Sequence, residues 1–356
     1  MSGVDFGAQR TPDYLIMLDN RDITSNFRSR LLSLTIEDKR DTEADTLSLV
    51  LDDSDGQIVM PQRGNLLRVF IGWQDSALLD KGSFVIIGVS HTGAPDQLTL
   101  TGFSTDLSDS LKESRSESWD STTLGQVAQD IAQRNQLKVS LLPEIAAIEI
   151  GHVDQTQESD IQFITRLGQK YGTLAAVKSG WLMLIKPGSG KTASGQPLPA
   201  LTLFRRQGDK HTFAYQAETP YSGTRARWMQ LDKARSGRVT VKGEIRGPGR
   251  FFMPLHERYL LLPTLYNTQD EATRAAQAEW EKKQRSSVTL TFTLALGRPD
   301  LIPETRVQVR GFKPLIDEQA WIVTHVSHSL SAAGGYISTV TLELDNAGAL
   351  ITVEPD

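Results

Sequence analysis

The sequence predicts a mainly β protein of the α+β class, with two small β-barrel domains separated by a small α/β domain. Three changes of pattern along the chain lead to this prediction. Short apolar runs separated by turn residues fill positions 13–103, helical periodicity appears at 121–171, and strict alternation returns at 288–344. A chain of 356 residues has room for about two or three domains of ordinary size.

The composition argues against several classes of protein. Charged residues make up 23% and hydrophobic residues 39% of the sequence, which is typical of folded domains. No apolar run approaches the roughly 18 residues of a membrane span, and the N-terminus lacks a secretory signal, so we expect the chain to stay in the cytoplasm at first, without membrane anchoring. The chain has no cysteine for disulfides or thiolate chemistry, and its net charge of -5 argues against non-specific nucleic-acid binding.

The first β-barrel domain is predicted at residues 1–104. Its strand-like runs are separated by turn residues at short intervals, as in a barrel or a sandwich. The segment 52–56 (DDSDG) resembles part of a calcium loop, but the first ligand of that loop would be Leu51 and the twelfth Gln62, so we interpret it as an acidic turn. The predicted strands are 14–18, 31–36, 46–51, 66–73, 84–90 and 97–103.

The small α/β domain is predicted at residues 105–187. A polar connector at 104–120 is followed by apolar residues with helical spacing from Leu124, and a second helix starts at Ser159, which has capping-box spacing with Gln162. The predicted strands of this domain are 137–141 and a hairpin formed by 174–177 and 181–185.

Residues 188–199 are rich in glycine and proline and are predicted to be a linker. The segment 188–192 (GSGKT) ends like a phosphate-binding loop, in which backbone amides and a lysine bind phosphate. The first glycine of that motif is replaced here by Ile185, and glycine and proline follow where the motif must open a helix. We therefore predict no nucleotide site.

The second β-barrel domain is predicted at residues 200–356. An irregular, aromatic segment at 243–266 interrupts it, and we interpret this segment as an interaction loop, with core packing as the alternative. Thr268 and Glu271 have capping-box spacing, so a helix starts there. Its expected buried residues are Ala272, Ala276 and Trp280. The predicted strands are 201–204, 212–216, 224–230, 238–242, 288–296, 306–310, 321–330 and 336–344.

No catalytic, cofactor-binding or metal-binding residues are predicted. His325 and His328 lie on a predicted strand, where their odd separation places them on opposite faces and prevents them from sharing a metal. A concentration of basic residues, interrupted by Asp232 and Glu244, is interpreted as solvated or inter-subunit charge, with phosphate or nucleic acid as the alternative ligand. Its members are Arg225, Arg227, Lys233, Arg235, Arg238, Lys242, Arg246 and Arg250.

Segments spread over nearly the whole chain resemble one protein family in their order and spacing. They include 11–14 (TPDY), 71–73 (IGW), 152–160 (HVDQTQESD), 275–285 (AAQAEWEKKQR), 297–300 (GRPD), 309–312 (VRGF) and 323–330 (VTHVSHSL). Together these segments resemble the phage late control protein D family, the tail hub proteins of contractile-tailed phages.

The resemblance implies a structural baseplate hub in the virion tail, assembled in the host cytoplasm, rather than an enzyme. It implies a homotrimer that adapts a six-fold tail tube to a three-fold spike. The implied partners are the trimeric spike, the tail tube, other baseplate proteins and the tape measure protein. Two alternatives stay open. One is a DNA-binding late-gene regulator, although no motif for specific nucleic-acid binding supports it. The other is a cell-wall-binding or cell-wall-degrading tail protein.

Overall fold

The computed structural model describes residues 10–40, 44–105, 109–178, 180–192, 194–215, 221–230, 233–243, 258–345 and 351–355. Most of the described chain is β-strand, which confirms the mainly β class. The boundaries of the predicted domains and linker stay predictions.

The described residues form 22 strands and seven α-helices. The strands are β1 (Pro12–Leu18), β2 (Arg21–Asp22), β3 (Leu31–Lys39), β4 (Thr46–Asp52), β5 (Leu66–Trp73), β6 (Leu79–Thr92), β7 (Gln97–Ser104), β8 (Ser114–Thr123), β9 (Lys138–Leu141), β10 (Glu149–Ser159), β11 (Leu174–Lys178), β12 (Trp181–Ile185), β13 (Leu201–Phe204), β14 (Gly208–Tyr215), β15 (Gly223–Gln230), β16 (Arg235–Gly243), β17 (Tyr259–Tyr266), β18 (Val288–Leu294), β19 (Arg306–Arg310), β20 (Ala320–Ser331), β21 (Gly335–Leu344) and β22 (Ile351–Pro355). The helices are α1 (Thr24–Phe27), α2 (Asp109–Lys112), α3 (Leu124–Arg134), α4 (Pro143–Ala146), α5 (Asp160–Lys170), α6 (Gln269–Ser286) and α7 (Pro314–Asp317).

The first β unit consists of β1 to β7, which pair in the order β3-β4-β7-β6-β5-β1-β2. Strand β4 shows why the sequence folds this way, since Leu47, Leu49 and Leu51 are buried while the residues between them are partly exposed. All six strands predicted from alternation are present, and β3 and β6 extend beyond their predicted ends.

The α/β unit runs from α2 to β12 around a core of its own. Both predicted helix starts are confirmed, because Thr123 Oγ1 accepts a hydrogen bond from the backbone of Gln126, and Ser159 forms a complete capping box with Gln162. The prediction of a connector at 104–120 is wrong, because residues from Ser114 onward form β8, which pairs with β10 as an antiparallel ribbon. Most side chains of this ribbon are polar on both faces, so its sequence shows little hydrophobic alternation.

The second β unit contains β13, β14 and β18 to β21, and it continues the sheet of the first unit. Strand β20 pairs with β21 along most of its length and, through its C-terminal half, with β3 from His325↔Lys39 to Ser331↔Ser33. One sheet therefore crosses from one β unit to the other. Sequence alternation did not indicate this continuity, because it identifies strands without identifying their neighbours.

A separate four-stranded sheet has the order β17-β15-β16-β22 and is covered on one face by α6. The predicted helix start is confirmed, since Thr268 Oγ1 accepts a hydrogen bond from the backbone of Glu271, although the Glu271 carboxylate accepts from Asn267 rather than from Thr268. The prediction of an irregular segment at 243–266 is wrong for residues 259–266, which form β17. Pro263 lies where the register between β15 and β17 shifts, so its lack of a backbone amide hydrogen is tolerated in this strand. Residues 244–257 lie outside the described residues.

His328 lies at the junction of the two β units and has no exposed surface. Its Nδ1 atom is 3.0 Å from the Tyr336 hydroxyl and 3.0 Å from Ser338 Oγ. Burial, together with the nearby Lys81 charge, lowers the pKa of His328 well below its usual value. The folded protein therefore holds this imidazole neutral.

We expect the free energy of unfolding to fall as the pH drops below about 6.5, where the unfolded chain protonates His328 and the folded chain does not. The loss from this group approaches about 1.4 kcal/mol per pH unit. Urea unfolding between pH 7.5 and 5 measures it. His328→Gln is expected to be less stable at pH 7.5 but to have a shallower pH slope, whereas His211→Gln, at an exposed position, keeps the wild-type slope. Equal slopes for His328→Gln and the wild type would contradict this assignment.

Candidate assembly surfaces

Side chains near the β3–β20 junction hold the two β units together. Trp73 Nε1 donates a hydrogen bond to the carbonyl oxygen of Gly297 at 3.1 Å, and the Gly297 amide donates to the carbonyl of Tyr336 at 2.8 Å. A Cβ atom at Gly297 would lie 2.5 Å from the Tyr336 ring. Position 297 must therefore be glycine for this turn to pack against Tyr336, whose ring in turn contacts Trp73 of the first β unit at 5.3 Å between ring centroids.

An ion-pair cluster at the same junction is centred on Arg40, which follows β3. Arg40 Nε is 2.5 Å from Glu304 Oε1, and Arg40 Nη1 is 2.8 Å from Glu343 Oε2. The side chains of Arg40 and Glu304 are only 13% and 7% exposed, so each charge needs the other to offset the cost of its removal from water. Glu304 also accepts a hydrogen bond from the backbone of Gly188 at 3.0 Å, which holds the segment after β12 against the second β unit.

A second cluster joins the α/β unit to the first β unit. Lys178, at the end of β11, is 2.6 Å from Asp38 and 3.2 Å from Asp45. Burial first, and then the neighbouring Asp38 carboxylate, raise the pKa of Asp45 to about 6. Sequence analysis missed these residues and Arg40, because a charge next to a strand end has the same local pattern whether it is solvated or buried.

A cavity of about 580 Å³ lies among these units. Its walls carry both signs of charge, with Lys39, Arg40, Lys282 and Arg285 facing Glu279, Glu281 and Glu343. Arg40 and Arg285 already pair with glutamates in the wall. With four cationic and three anionic side chains in its wall, the cavity has no strong concentration of one charge that would select an ionic ligand.

The basic sheet face is the face of the four-stranded sheet opposite α6. In it, Arg227 lies beside Arg238 on one side and Leu265 on the other, and Arg225 lies beside Leu261. Arg225 also covers the ring of Tyr259 at 3.9 Å. Three members of the basic concentration noted in the sequence, Arg225, Arg227 and Arg238, thus lie on one surface, while Arg246 and Arg250 lie outside the described residues. We define this face by Arg225, Arg227, Met229, Arg238, Leu261 and Leu265.

The acidic loop, residues 52–62, contains the segment that resembles a calcium loop. Its carboxylates have protein partners: Asp52 accepts from Ser54, Asp53 accepts from the backbone of Ile58, and Asp55 pairs with Arg30. These contacts agree with the interpretation as an acidic turn. The loop also presents exposed aliphatic residues, namely Val59 and Met60.

The segment resembling a phosphate-binding loop has a different structure. A backbone bridge joins Lys191 to Pro197, and the amide of Leu198 donates to the carbonyl of Gly190 at 2.8 Å. A short hairpin thus occupies the place where a phosphate loop would open a helix, so the helix N-terminus that such a loop needs is not formed there.

The two histidines of β20 face different surroundings, as predicted from their spacing. His325 Nε2 lies 2.7 Å from Glu37 Oε2 on the partly exposed face, whereas His328 points into the core. Among the described residues, no group of histidine and carboxylate side chains has the geometry to hold a metal. In the same part of the chain no helix is long and apolar enough to cross a membrane.

The sequence model of the family described as Phage tail baseplate hub (GPD) matches residues 29–334. The chain belongs to this family. The probable baseplate hub protein of Escherichia phage 186 is 41% identical over 371 residues, which cover 96% of this chain and 95% of the relative. The hub is therefore a structural component of the phage tail baseplate and not an enzyme. The family favours this function over the DNA-binding regulator and the cell-wall protein.

Two solved structures share the fold of the hub. A 43 kDa tail protein of prophage MuSo2 from Shewanella oneidensis has a TM-score of 0.70 at 14% identity, covering 95% of this chain and 99% of that chain. An E. coli component of the type VI secretion system has a TM-score of 0.54 at 14% identity, covering 95% of this chain and 75% of that one. The same architecture thus occurs in phage tails and in a secretion system.

Proposed function

We propose that the hub is a homotrimer that adapts a six-fold tail tube to a three-fold spike. The observation that carries this proposal is the sheet that joins two β units in one chain. The first unit contributes β1 and β3 to β7, and the second contributes β13, β14 and β18 to β21, so each has six main strands. Three copies would place six such units around one axis.

The rigidity of the junction supports this mechanical role. Two units that moved independently could not present a fixed pseudo-six-fold surface to a tube. Backbone pairing of β3 with β20, the Trp73–Gly297 hydrogen bond and the Arg40 ion pairs fix their relative positions. The trimeric spike would bind at the three-fold end, and the tail tube, tape measure protein and other baseplate proteins would meet the remaining surfaces.

Light scattering on the purified chain, and on the chain co-expressed with the neighbouring spike gene, tests the proposal. We expect a particle of about 118 kDa, three times the 39.3 kDa chain, from the chain alone, or a heavier particle that contains three copies of the chain together with the spike trimer. A monomer that does not bind the spike in either preparation would overturn it. A salt-dependent gel shift with duplex DNA in the same monomer would instead favour the regulator.

A further inference from the structure

The two β units of this chain repeat one topology. The first unit has the spatial strand order β1-β5-β6-β7-β4-β3, and the second has the order β13-β19-β20-β21-β18-β14. When the strands of each unit are ranked by their place in the chain, both orders read 1-4-5-6-3-2. Each strand of one unit therefore has a counterpart in the other, and in particular β3 corresponds to β14 and β6 corresponds to β20.

The repeat extends to individual residues of β6 and β20. Residues 84–92 read FVIIGVSHT, and residues 321–329 read WIVTHVSHS. The register shifts at the fourth residue of each segment, against β7 in the first unit and against β21 in the second. A bulge at the same place in both strands fixes their alignment, which makes Thr92 the counterpart of Ser329.

Strands β3 and β14 align in the same way. The register of β3 against β4 shifts just before Ser33, and the register of β14 against β18 shifts just before Lys210. Alignment on these two shifts makes Thr212 of β14 the counterpart of Thr35 of β3. The four strands thus correspond residue by residue.

The junction between the two units uses only one strand of each corresponding pair. Strand β3 pairs there with the C-terminal half of β20, where Thr35 lies opposite Ser329. Within the described ranges, residues 210–214 of β14 pair with β18 alone, and residues 88–92 of β6 pair with β7 alone. Each chain therefore has two open strand edges, which are the counterparts of the two edges that meet inside it.

The exposure of side chains at these edges follows from the missing neighbour. Each residue of 326–329 is more buried than its counterpart in 89–92, and each residue of 33–36 is more buried than its counterpart in 210–213. Val-Ser-His is the sequence at both 89–91 and 326–328, so residue type does not explain the difference in that part. A strand of the β3 type covers the second segment and not the first.

The open edge of β6 also has apolar surface in contact with water. Ile87, at the bulge, and Phe103, opposite Val85 on β7, are 41% and 44% exposed. The counterpart of Phe103 is Glu343, whose side chain is only 20% exposed beneath Arg40, the residue that follows β3. The same position is thus covered at the junction within the chain and uncovered at the open edge. Open edges and exposed apolar side chains are typical of surfaces that pair with another chain.

We propose that β14 of one copy pairs antiparallel with residues 88–92 of β6 in the next copy, so that the sheet continues around the ring. This inference rests on the proposed homotrimer. The register of the β3–β20 junction, carried over to the counterparts, places Thr212 opposite Thr92. A second copy is favoured over another tail protein because both edges, and the junction that they would repeat, belong to this chain. Three junctions within chains would then alternate with three between chains.

The absence of cysteine allows a cross-linking test of this register. Thr92→Cys chains and Thr212→Cys chains, each with its own affinity tag, are co-expressed with and without the spike gene and mildly oxidised. Neither chain carries both cysteines, so a heterodimer on a non-reducing gel reports a contact between copies. Residues directly opposite each other in an antiparallel pair are close enough for a disulfide.

The matched control pairs Thr92→Cys with Lys210→Cys, an exposed position on the same strand. In the proposed register Lys210 lies diagonal to Thr92, at about 7–8 Å, which is too far for a disulfide. We expect at least about tenfold more heterodimer from the Thr92 and Thr212 pair. A single chain with Thr35→Cys and Ser329→Cys gives the yield that this register reaches inside one copy.

A proline substitution in the same assay tests the backbone pairing. The amide of Ala295 donates to the carbonyl of Gln207 at 2.9 Å, and backbone groups alternate in direction along a strand, so Phe292 directs its amide away from β14. His211 lies opposite Phe292, and its own amide therefore points to the open edge.

His211→Pro in the Thr212→Cys chain removes that donor without removing a hydrogen bond to β18, and it is expected to lower cross-linking by at least about fivefold. His211→Ala, which keeps the amide, is expected to leave cross-linking unchanged. Circular dichroism and urea unfolding show that both variants fold before the comparison is made.

The outcomes separate this inference from the proposed function. A trimer in which the Thr92 and Thr212 pair cross-links no better than the Lys210 control would overturn the inference and leave the homotrimer intact. Equal cross-linking in folded His211→Pro and His211→Ala chains would also overturn it, since the contact would then not depend on strand pairing. A monomer in both preparations, without cross-linking, would overturn the inference and the homotrimer together.

Discussion

Arg40→Met is expected to lower the free energy of unfolding by about 3–5 kcal/mol, the usual result of removing one member of a buried ion pair. The substitution keeps an unbranched apolar stem but removes the guanidinium that pairs with Glu304 and Glu343. Their side chains are only 7% and 20% exposed, so water cannot replace the guanidinium fully. Guanidinium chloride unfolding followed by tryptophan fluorescence measures the loss, because Trp73 and Trp321 lie in the cores on either side of the junction.

Two further variants distinguish the two possible causes of the loss in Arg40→Met, namely unpaired glutamate charges and lost side-chain packing. Arg28→Met removes an arginine whose side chain is 58% exposed and whose ion pair with Asp13 faces solvent, and it is expected to cost less than about 1 kcal/mol. Adding Glu304→Gln and Glu343→Gln to Arg40→Met removes the unpaired charges and is expected to restore much of the stability. If the triple variant were less stable than Arg40→Met, packing rather than charge would explain the effect.

Local patterns in the sequence predicted much of the fold. Alternation identified β4 and β18 because one face of each strand is buried and the other is not. The cap residues Thr123, Ser159 and Thr268 each mark a helix start, because an orphaned backbone donor at that point needs an oxygen acceptor close in sequence. Both kinds of signal depend only on neighbouring residues, so a single sequence reveals them.

The features that create the candidate assembly surfaces depend on distant residues. Ser327 donates to Glu37 across 290 positions of the chain, and Arg40 pairs with Glu304 across 264. The basic concentration was visible in the sequence, but its arrangement opposite α6 follows from the pairing of β15 with β16 and β17. The sequence pattern around Val59 and Met60 does not show whether they are buried, and only the fold shows that both side chains are exposed.

Asp160→Ala is expected to destabilise the α/β unit by about 3–5 kcal/mol, since it removes the anion from a buried polar network. Asp160 has no exposed surface. Its carboxylate accepts two hydrogen bonds from Arg134, at 2.8 and 2.7 Å, one from Asn135 at 2.7 Å and one from Gln155 at 3.0 Å. It also opens α5, where a negative charge is favoured by the helix dipole.

Hydrogen exchange by mass spectrometry shows where the effect of Asp160→Ala falls. We expect faster exchange in α3, α5 and the β8–β10 ribbon, and unchanged exchange in β18 and β21, because the network holds the α/β unit together and does not extend into the second β unit. Glu144→Ala, an exposed acid in the first turn of α4, is the matched control and is expected to change stability by no more than about 0.5 kcal/mol. Equal acceleration in β18 and β21 would mean that the α/β unit and the β units unfold as one cooperative body. The network would then contribute to the rigidity of the whole hub rather than to one part of it.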